Sequence, residues 1–381
     1  MAVFCTMVKP MRFVDEYRQP ELVRGLVARI GERMSHTVYT AEQPLQVMEV
    51  CGGHTHAIFK FGLDKLLPPS LEFIHGPGCP VCVLPAGRID ACVQIAMRPE
   101  VIFCTFGDAM RVPGRNGSLL TARQQGADVR MVWSPLDALA IAKNNPDRQV
   151  VFFGIGFETT MPASAMTLQQ ARADGVENFF LFCQHITLMP TLKSLLAQPD
   201  VRIDGFIAPG HVSMVIGQRP YAYISDICHK PVVVTGFEPG DILQGLLMLC
   251  EQYVDGRCTV ENQYRRVVPD EGNRLAQEAM DRVFITEGAS EWRGLGVIDD
   301  SRVSLRPEWS AYDAEGRFNP DPQPVADDPR ARCGAVLTGR CKPADCPLFG
   351  GVCTPENAFG ALMVSSEGAC AAWYQYRRSE A

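Results

Sequence analysis

Short apolar runs, each followed by a helical stretch, predict an α/β fold: two similar doubly wound parallel-sheet domains facing a cleft, plus a small cysteine-rich domain. Three observations carry this expectation. Apolar residues fill the runs 45–50, 71–74, 101–106, 129–133, 150–155, 179–183, 203–208 and 232–235, and continuous apolar strands are the mark of parallel sheets covered on both faces. Residues able to do chemistry stand just after these runs, at the strand ends where open α/β sheets bind ligands. Beyond Asp255 the alternation fades, and five cysteines crowd the stretch from Cys333 to Cys370.

The elements follow in chain order. Residues 13–34 space Leu22, Leu26 and Ile30 for an amphipathic helix, with Pro20-Glu21 suited to its first turn. Residues 1–37 therefore read as an N-terminal helical segment, expected to pack on the C-terminal unit. Strands 45–50 to 129–133 form a first α/β domain, 38–145, and strands 150–155 to 232–235 a second, 146–258, with KNNPD at 143–147 as the hinge. A helix near 273–284 and the Pro/Asp-rich loop FNPDPQPVADDPRA lead into the cysteine-rich part of a 259–381 domain. That part has little apolar sequence for a core, a condition usually met by a metal staple.

Composition narrows the class of function. The chain has 381 residues, a formal net charge of -7 and 21% charged residues, which gives no electrostatic footprint for nucleic acid. No apolar run approaches the ~20 residues a membrane span needs, and the N-terminus lacks the layout of a secretory signal. A cytoplasmic protein with no membrane partner is expected. Fifteen cysteines in so long a chain then indicate metal and redox chemistry under reducing conditions rather than disulfide staples.

CGGHTH at 51–56 and HGPGCPVC at 75–82 each follow an apolar run. Cys51 sits where a strand gives way to two glycines and a helix start, a setting that favours an anionic sulfur or ligand. Cys79 and Cys82 have the spacing of a redox dithiol or of half a zinc site, and a parallel sheet would place their loop beside that of Cys51. His54 and His56 are candidate ligands, acid/base groups or helix-end hydrogen-bonding residues. GIGFETT at 154–160 lacks the third glycine of a dinucleotide fingerprint and reads as a turn presenting Glu158, Thr159 and Thr160 to the cleft, or as a capped helix start. Among Cys333, Cys341, Cys346, Cys353 and Cys370 no Cys-x-x-Cys knuckle occurs, which favours a 4Fe-4S cluster over structural zinc and leaves one of the five spare. Cys5, Cys92, Cys104, Cys183, Cys228, Cys250 and Cys258 stand singly and read as packing residues.

The segments MEVCGGHTHAIFKFG, FIHGPGCPVCVLP, FGIGFETT, APGHVS, VTGFEPGDIL and CPLFGGVCTPENAFGALMVSSEGACAAWY together resemble the hydrogenase maturation factor HypD family, from Arg12 to Tyr376. The resemblance implies a scaffold on which the Fe(CN)2CO unit of nickel-iron hydrogenases is assembled, with a HypC-type chaperone and a HypE-type cyanide donor as partners. It implies that Cys51 binds the iron under assembly and that Cys79 and Cys82 are further ligands or a redox-active dithiol. It implies a 4Fe-4S cluster on Cys333, Cys346, Cys353 and Cys370, with Cys341 spare, the cluster exchanging electrons with the dithiol or the iron. Leu362 stands where many relatives carry a cysteine. His54, His56, Glu158 and His211 are expected to tune or protonate groups in the cleft. An iron-sulfur thiol-disulfide reductase working through Cys79 and Cys82 is the alternative, and a zinc-stabilised interaction module a third reading.

Overall fold

A computed structural model describes residues 11–321 and 328–377. Each expected strand forms: β1 Leu45–Glu49, β2 Leu71–His75, β3 Val101–Thr105, β4 Val129–Met131, β5 Gln149–Gly156, β6 Phe179–His185, β7 Gly205–Pro209 and β8 Val232–Thr235. A short β9, Val260–Asn262, follows, and two small antiparallel pairs come later from β10 Phe284–Thr286, β11 Ser290–Trp292, β12 Gly296–Ile298 and β13 Val303–Leu305.

The strands sort into two parallel sheets, but not by halves of the chain. One sheet has the order β2-β1-β7-β8-β9 and the other β4-β3-β5-β6. The expected boundary near residue 145 is therefore corrected: the second sheet is an insertion between the second and third strands of the first. The cause is the free edge of β1. Val47, Met48 and Glu49 pair with Gly205, Phe206 and Ile207 of β7, so the chain returns to finish the sheet it began.

Side-chain alternation shows how the layers stack. In β1, Leu45 and Val47 face one cluster while Met48 faces another, and in β5, Val150 and Phe152 part from Val151 and Phe153 in the same way. One face of each sheet thus enters a common core holding Met48, Phe103, Phe153, Phe182, Phe206 and Val234. The opposite face of the first sheet is covered by helices, and that of the second by helices together with β10, β13 and the turn after them.

Two further boundaries shift. The N-terminal helix, Pro20–Met34, begins at a proline in its first turn, and its buried stripe of Leu26, Ile30 and Met34 packs on Ile242, Leu243 and Leu246 of helix Pro239–Val254, not on the C-terminal unit. The receiving helix buries apolar residues all round, so it offers the stripe a surface that the small C-terminal unit lacks. The 259–381 domain is likewise not one body. β9 completes the first sheet, helix Arg274–Val283 lies on helix Met161–Ala173, and Phe284, Val303, Trp309 and Tyr312 cover the second sheet. The cysteine-rich stretch and the closing helix Ala369–Arg377, together the C-terminal unit, pack on the rest: the closing helix lies on helix Gly52–Lys60, and Leu362, Met363 and Val364 enter the common core. Part of the Pro/Asp-rich loop, 322–327, lies outside the described residues.

Candidate metal centre

Topology alone selects where a ligand would sit. In the first sheet the connection from β1 to β2 runs one way and that from β7 to β8 the other, so a crevice opens beyond the C-terminal ends of β1 and β7. Cys51 follows β1 and His211 follows β7. The second sheet has the same switch between β3 and β5, flanked by Asp108 and Glu158.

Cys51 is the residue before helix Gly52–Lys60, with extended backbone at φ -149° and ψ 124°. The turn of Cys79 abuts it because β1 and β2 are parallel neighbours in register, with Glu49 opposite His75. Gly78 packs so closely that a Cβ there would lie within 3.0 Å of Cys51 N, Cys51 Cα and Val50 C, and Gly52 N–H donates to Gly78 O at 3.2 Å. Cys79 and Cys82 are joined as a disulfide across the short helix Pro80–Val83, their Cα atoms 5.2 Å apart. In this oxidised form neither sulfur is an anionic ligand, so ligation by the pair requires its reduction to the dithiol.

The C-terminal unit closes over both turns. Ser365 Oγ donates to Asp108 Oδ2 at 2.7 Å and Arg111 donates to Val364 O at 2.8 Å, both from beyond β3. Glu367 lies against Gly52, and a Cβ on Gly368 would stand 3.1 Å from Cys82 Sγ. Residues 364–368 therefore bridge the strand ends of the two sheets and lead directly to Cys370. Burial, then the Glu367 and Glu49 carboxylates, push the Cys51 thiol up to about 12 against the backbone N–H groups of Gly53 and His54. A sulfur so placed stays protonated until a cation arrives to compensate its charge, and a coordinating metal does that outright.

The other expected site residues take quieter places. His54 is fully buried, its Nε2 at 2.9 Å from both Gly236 O and Thr235 Oγ1, with its ring stacked 4.6 Å from that of Phe237. Burial lowers its pKa, so it ties the Cys51 helix to the end of β8 as a neutral ring. His56 turns to the C-terminal unit, with Nδ1 3.3 Å from Ser366 O and Nε2 3.4 Å from Tyr376 Oη. Glu158 is buried and accepts Leu188 N–H on its two oxygens at 3.1 and 3.3 Å, capping helix Leu188–Leu196, while burial raises its pKa to about 7. Thr160 stands before helix Met161–Ala173 without a side-chain cap to it, its hydroxyl donating back to Ile155 O at 3.2 Å. His211 is exposed and stacks 4.0 Å from Phe237, whose ring also fills the space left by Gly53.

Cys333, Cys346, Cys353 and Cys370 all line one small cavity, walled by apolar side chains including Val336, Leu348 and Leu362. Gly360 N–H donates to Cys353 Sγ at 3.4 Å, and a Cβ on Gly360 would come within 2.6 Å of Cys333 Sγ. Burial and then the surrounding cysteines raise the Cys370 thiol well above its ordinary value. Cys341 lies outside this lining, in a neighbouring groove beside Lys342. Among the described residues no three His, Cys, Asp or Glu side chains gather tightly enough to hold a single ion. A cubane, which gives each thiolate a different iron, sets its ligands further apart than one ion does. Of the single cysteines, Cys92, Cys104 and Cys250 are buried, Cys183, Cys228 and Cys258 half-buried, and Cys5 lies outside the described residues.

Sequence reasoning passed over Glu49. It ends β1 with no exposed surface, and its carboxylate takes Cys51 N–H at 3.0 Å, His75 Nδ1 at 2.8 Å and the Thr55 hydroxyl. The available signal was a lone acid inside the apolar run LQVMEV.

No helix among the described residues is long and apolar enough to cross a membrane. A family model for HypD, described as the hydrogenase formation hypA family, matches residues 21–377. The chain is 68% identical to the hydrogenase maturation factor HypD of Escherichia coli (strain K12), over 97% of this chain and 99% of that protein. It is 55% identical to HypD of Rhodobacter capsulatus, over 96% and 98%, and 51% identical to HypD of Rhizobium leguminosarum bv. viciae, over 97% and 96%. With the Cys51 turn at the sheet's switch point, the Cys79–Cys82 turn packed against it and these likenesses running along nearly its whole length, the chain belongs to the HypD family of hydrogenase maturation factors.

Proposed function

We propose that this maturation factor is the scaffold on which the Fe(CN)2CO unit of nickel-iron hydrogenases is put together, with a HypC-type chaperone and a HypE-type cyanide donor as partners. The observation that carries the reading is the packing of the Cys79–Cys82 turn and residues 364–368 against the Cys51 turn, which stands at the switch point. The iron under assembly is the cargo. Ferrous iron bearing cyanide and CO needs soft, electron-donating anchors, and the half-buried Cys51 beside Glu367 supplies one. The chaperone contributes a further thiolate, and the cyanide donor docks at the open side of the crevice.

Cys333, Cys346, Cys353 and Cys370 are the residues to hold a 4Fe-4S cluster, since all four line one apolar-walled cavity and Gly360 N–H already points at a sulfur. A bound cluster supplies one-electron transfer. Reduction of the Cys79–Cys82 disulfide takes two electrons and two protons and frees both thiols, as ligands or as a reductant.

Infrared spectroscopy of the protein purified anaerobically with its chaperone tests the scaffold. Cyanide and CO stretching bands are expected, and Cys51→Ala should lose them; their absence from the wild type overturns the reading. Cys346→Ala should lose the brown chromophore of the cluster, and one bound zinc in place of iron would refute the cluster. The disulfide favours a second reading, an iron-sulfur thiol-disulfide reductase. Turnover of an added disulfide with an electron donor, with no iron bound outside the cluster, would select it.

A further inference from the structure

The turns of Cys51 and of the Cys79–Cys82 pair pack against each other through Gly78, and glycines dominate both. Gly52 and Gly53 follow Cys51, and Gly76 and Gly78 precede Cys79. Backbone pairing ends at Glu49 and His75, the last register partners of β1 and β2. Cys51, Cys79 and Cys82 all lie beyond that last pair.

Glu49 spans the gap. One oxygen takes Cys51 N–H at 3.0 Å. The other takes His75 Nδ1 at 2.8 Å and the hydroxyl of Thr55, one turn into the Cys51 helix. Its backbone O accepts Gly76 N–H at 2.9 Å. A single residue thus holds the start of the Cys51 turn, the first turn of the helix after it and the root of the turn leading to Cys79. A carboxylate can only accept, and these three donors converge on it with no water-facing surface, since Glu49 is 0% exposed. A fold needing only to end a strand here would be served by an apolar residue at less cost in desolvation.

The geometry points to Glu49 as the positioning residue of the iron site, fixing Cys51 relative to the Cys79/Cys82 pair through Thr55 and His75. Glu49 does not itself touch the iron. The inference rests on the scaffold reading for what is positioned, but its effect on the cysteine pair can be measured without iron.

The test compares wild type with Glu49→Gln, Glu49→Ala and Thr55→Val by two readouts. The first is the equilibrium of the Cys79–Cys82 disulfide with glutathione, in which two glutathione thiols are oxidised to one disulfide as the pair is reduced, followed by alkylation of the freed thiols. Glu49→Ala should shift this equilibrium toward the dithiol by about tenfold, the scale of losing one hydrogen bond to a charged group that holds the oxidised turn in place. Thr55→Val and Glu49→Gln, each keeping some of the acceptors and donors, should shift it by about threefold. The second readout is the infrared spectrum with the chaperone, where the bands should broaden or vanish in Glu49→Ala and persist, displaced, in Glu49→Gln. An equilibrium within twofold of wild type in Glu49→Ala, or in Glu49→Gln and Thr55→Val if the alanine variant fails to fold, overturns the proposal. Wild-type protein without infrared bands would sink the scaffold reading alone, and the glutathione equilibrium would still decide Glu49.

Discussion

Replacing Gly78 by alanine tests whether the contact between the two cysteine turns is as close as the structure has it. The added methyl would lie within 3.0 Å of three backbone atoms, Cys51 N, Cys51 Cα and Val50 C, whereas ordinary contact begins at 3.4 Å. No side chain can rotate aside, so the turns themselves must part. Overpacking of this kind costs about 1–3 kcal/mol, and rigid backbone neighbours put Gly78→Ala at the upper end. Alanine also restricts the unfolded chain, which returns about 0.4–1 kcal/mol, leaving a net loss of about 2 kcal/mol. Gly31→Ala serves as the control: it sits within helix Pro20–Met34 with nothing inside 4 Å of the new atom, and should stabilise by up to about 1 kcal/mol. Urea unfolding followed by circular dichroism reads both. A Gly78→Ala midpoint no lower than wild type, with Gly31→Ala behaving as expected, would refute the close packing of the turns and with it the common site.

Two buried titrating groups give opposite pH signatures. Burial lowers the His185 pKa from 6.5 to about 4, so the folded state binds fewer protons across that window and stability falls as pH drops through it, by up to about 3 kcal/mol. His185→Gln should flatten acid unfolding there, and an unchanged slope counts against the burial argument. Glu158 is raised from 4.5 to about 7, so the folded state binds more protons and stability falls as pH rises through that range, again by up to about 3 kcal/mol. Glu158→Gln keeps an acceptor for Leu188 N–H and should gain stability at pH 8 relative to wild type in thermal unfolding. Arg88→Ala loses a paired contact with Glu315 at 2.8 Å, a bond to Gln184 at 2.9 Å and stacking on Phe182, and should cost about 1–2 kcal/mol, discounted because Glu315 is partly exposed.

Strands were legible because their signal is local. An apolar run such as VVFFGIG declares itself within a few residues, and the ends of the expected strands fall within about three residues of β1 to β8. Which strands share a sheet is a different kind of question. β1 reads like any first strand, and nothing in LQVME says that its second edge waits for residues 205–207. The order of apolar runs along the chain suggested two halves, whereas pairing across more than 150 residues decided the sheets, a choice made by tertiary packing rather than by propensity. β9 escaped notice for the converse reason: three residues, Val260–Asn262, are too few to show any period.

The site divides along the same line. Cys51, Cys79, Cys82 and the four cavity-lining cysteines stand out as candidates because thiols are few and their spacing carries meaning, whereas the histidines and Glu158 are ambiguous because a polar residue at a strand end has two uses. It can meet a ligand, or it can satisfy the chain's own donors. Glu158 turns both oxygens to Leu188 N–H, and His54 places Nε2 against the end of β8, so each of these groups has a partner within the fold. Glu49 is the reverse case. It reads as an ordinary strand residue, yet its side-chain partners, Cys51 N–H, Thr55 and His75, all belong to the two segments that carry Cys51 and the Cys79–Cys82 pair. Residue type therefore locates candidate ligands in this family, but only the hydrogen-bond partners separate a group that does chemistry from one that holds the chemistry in place.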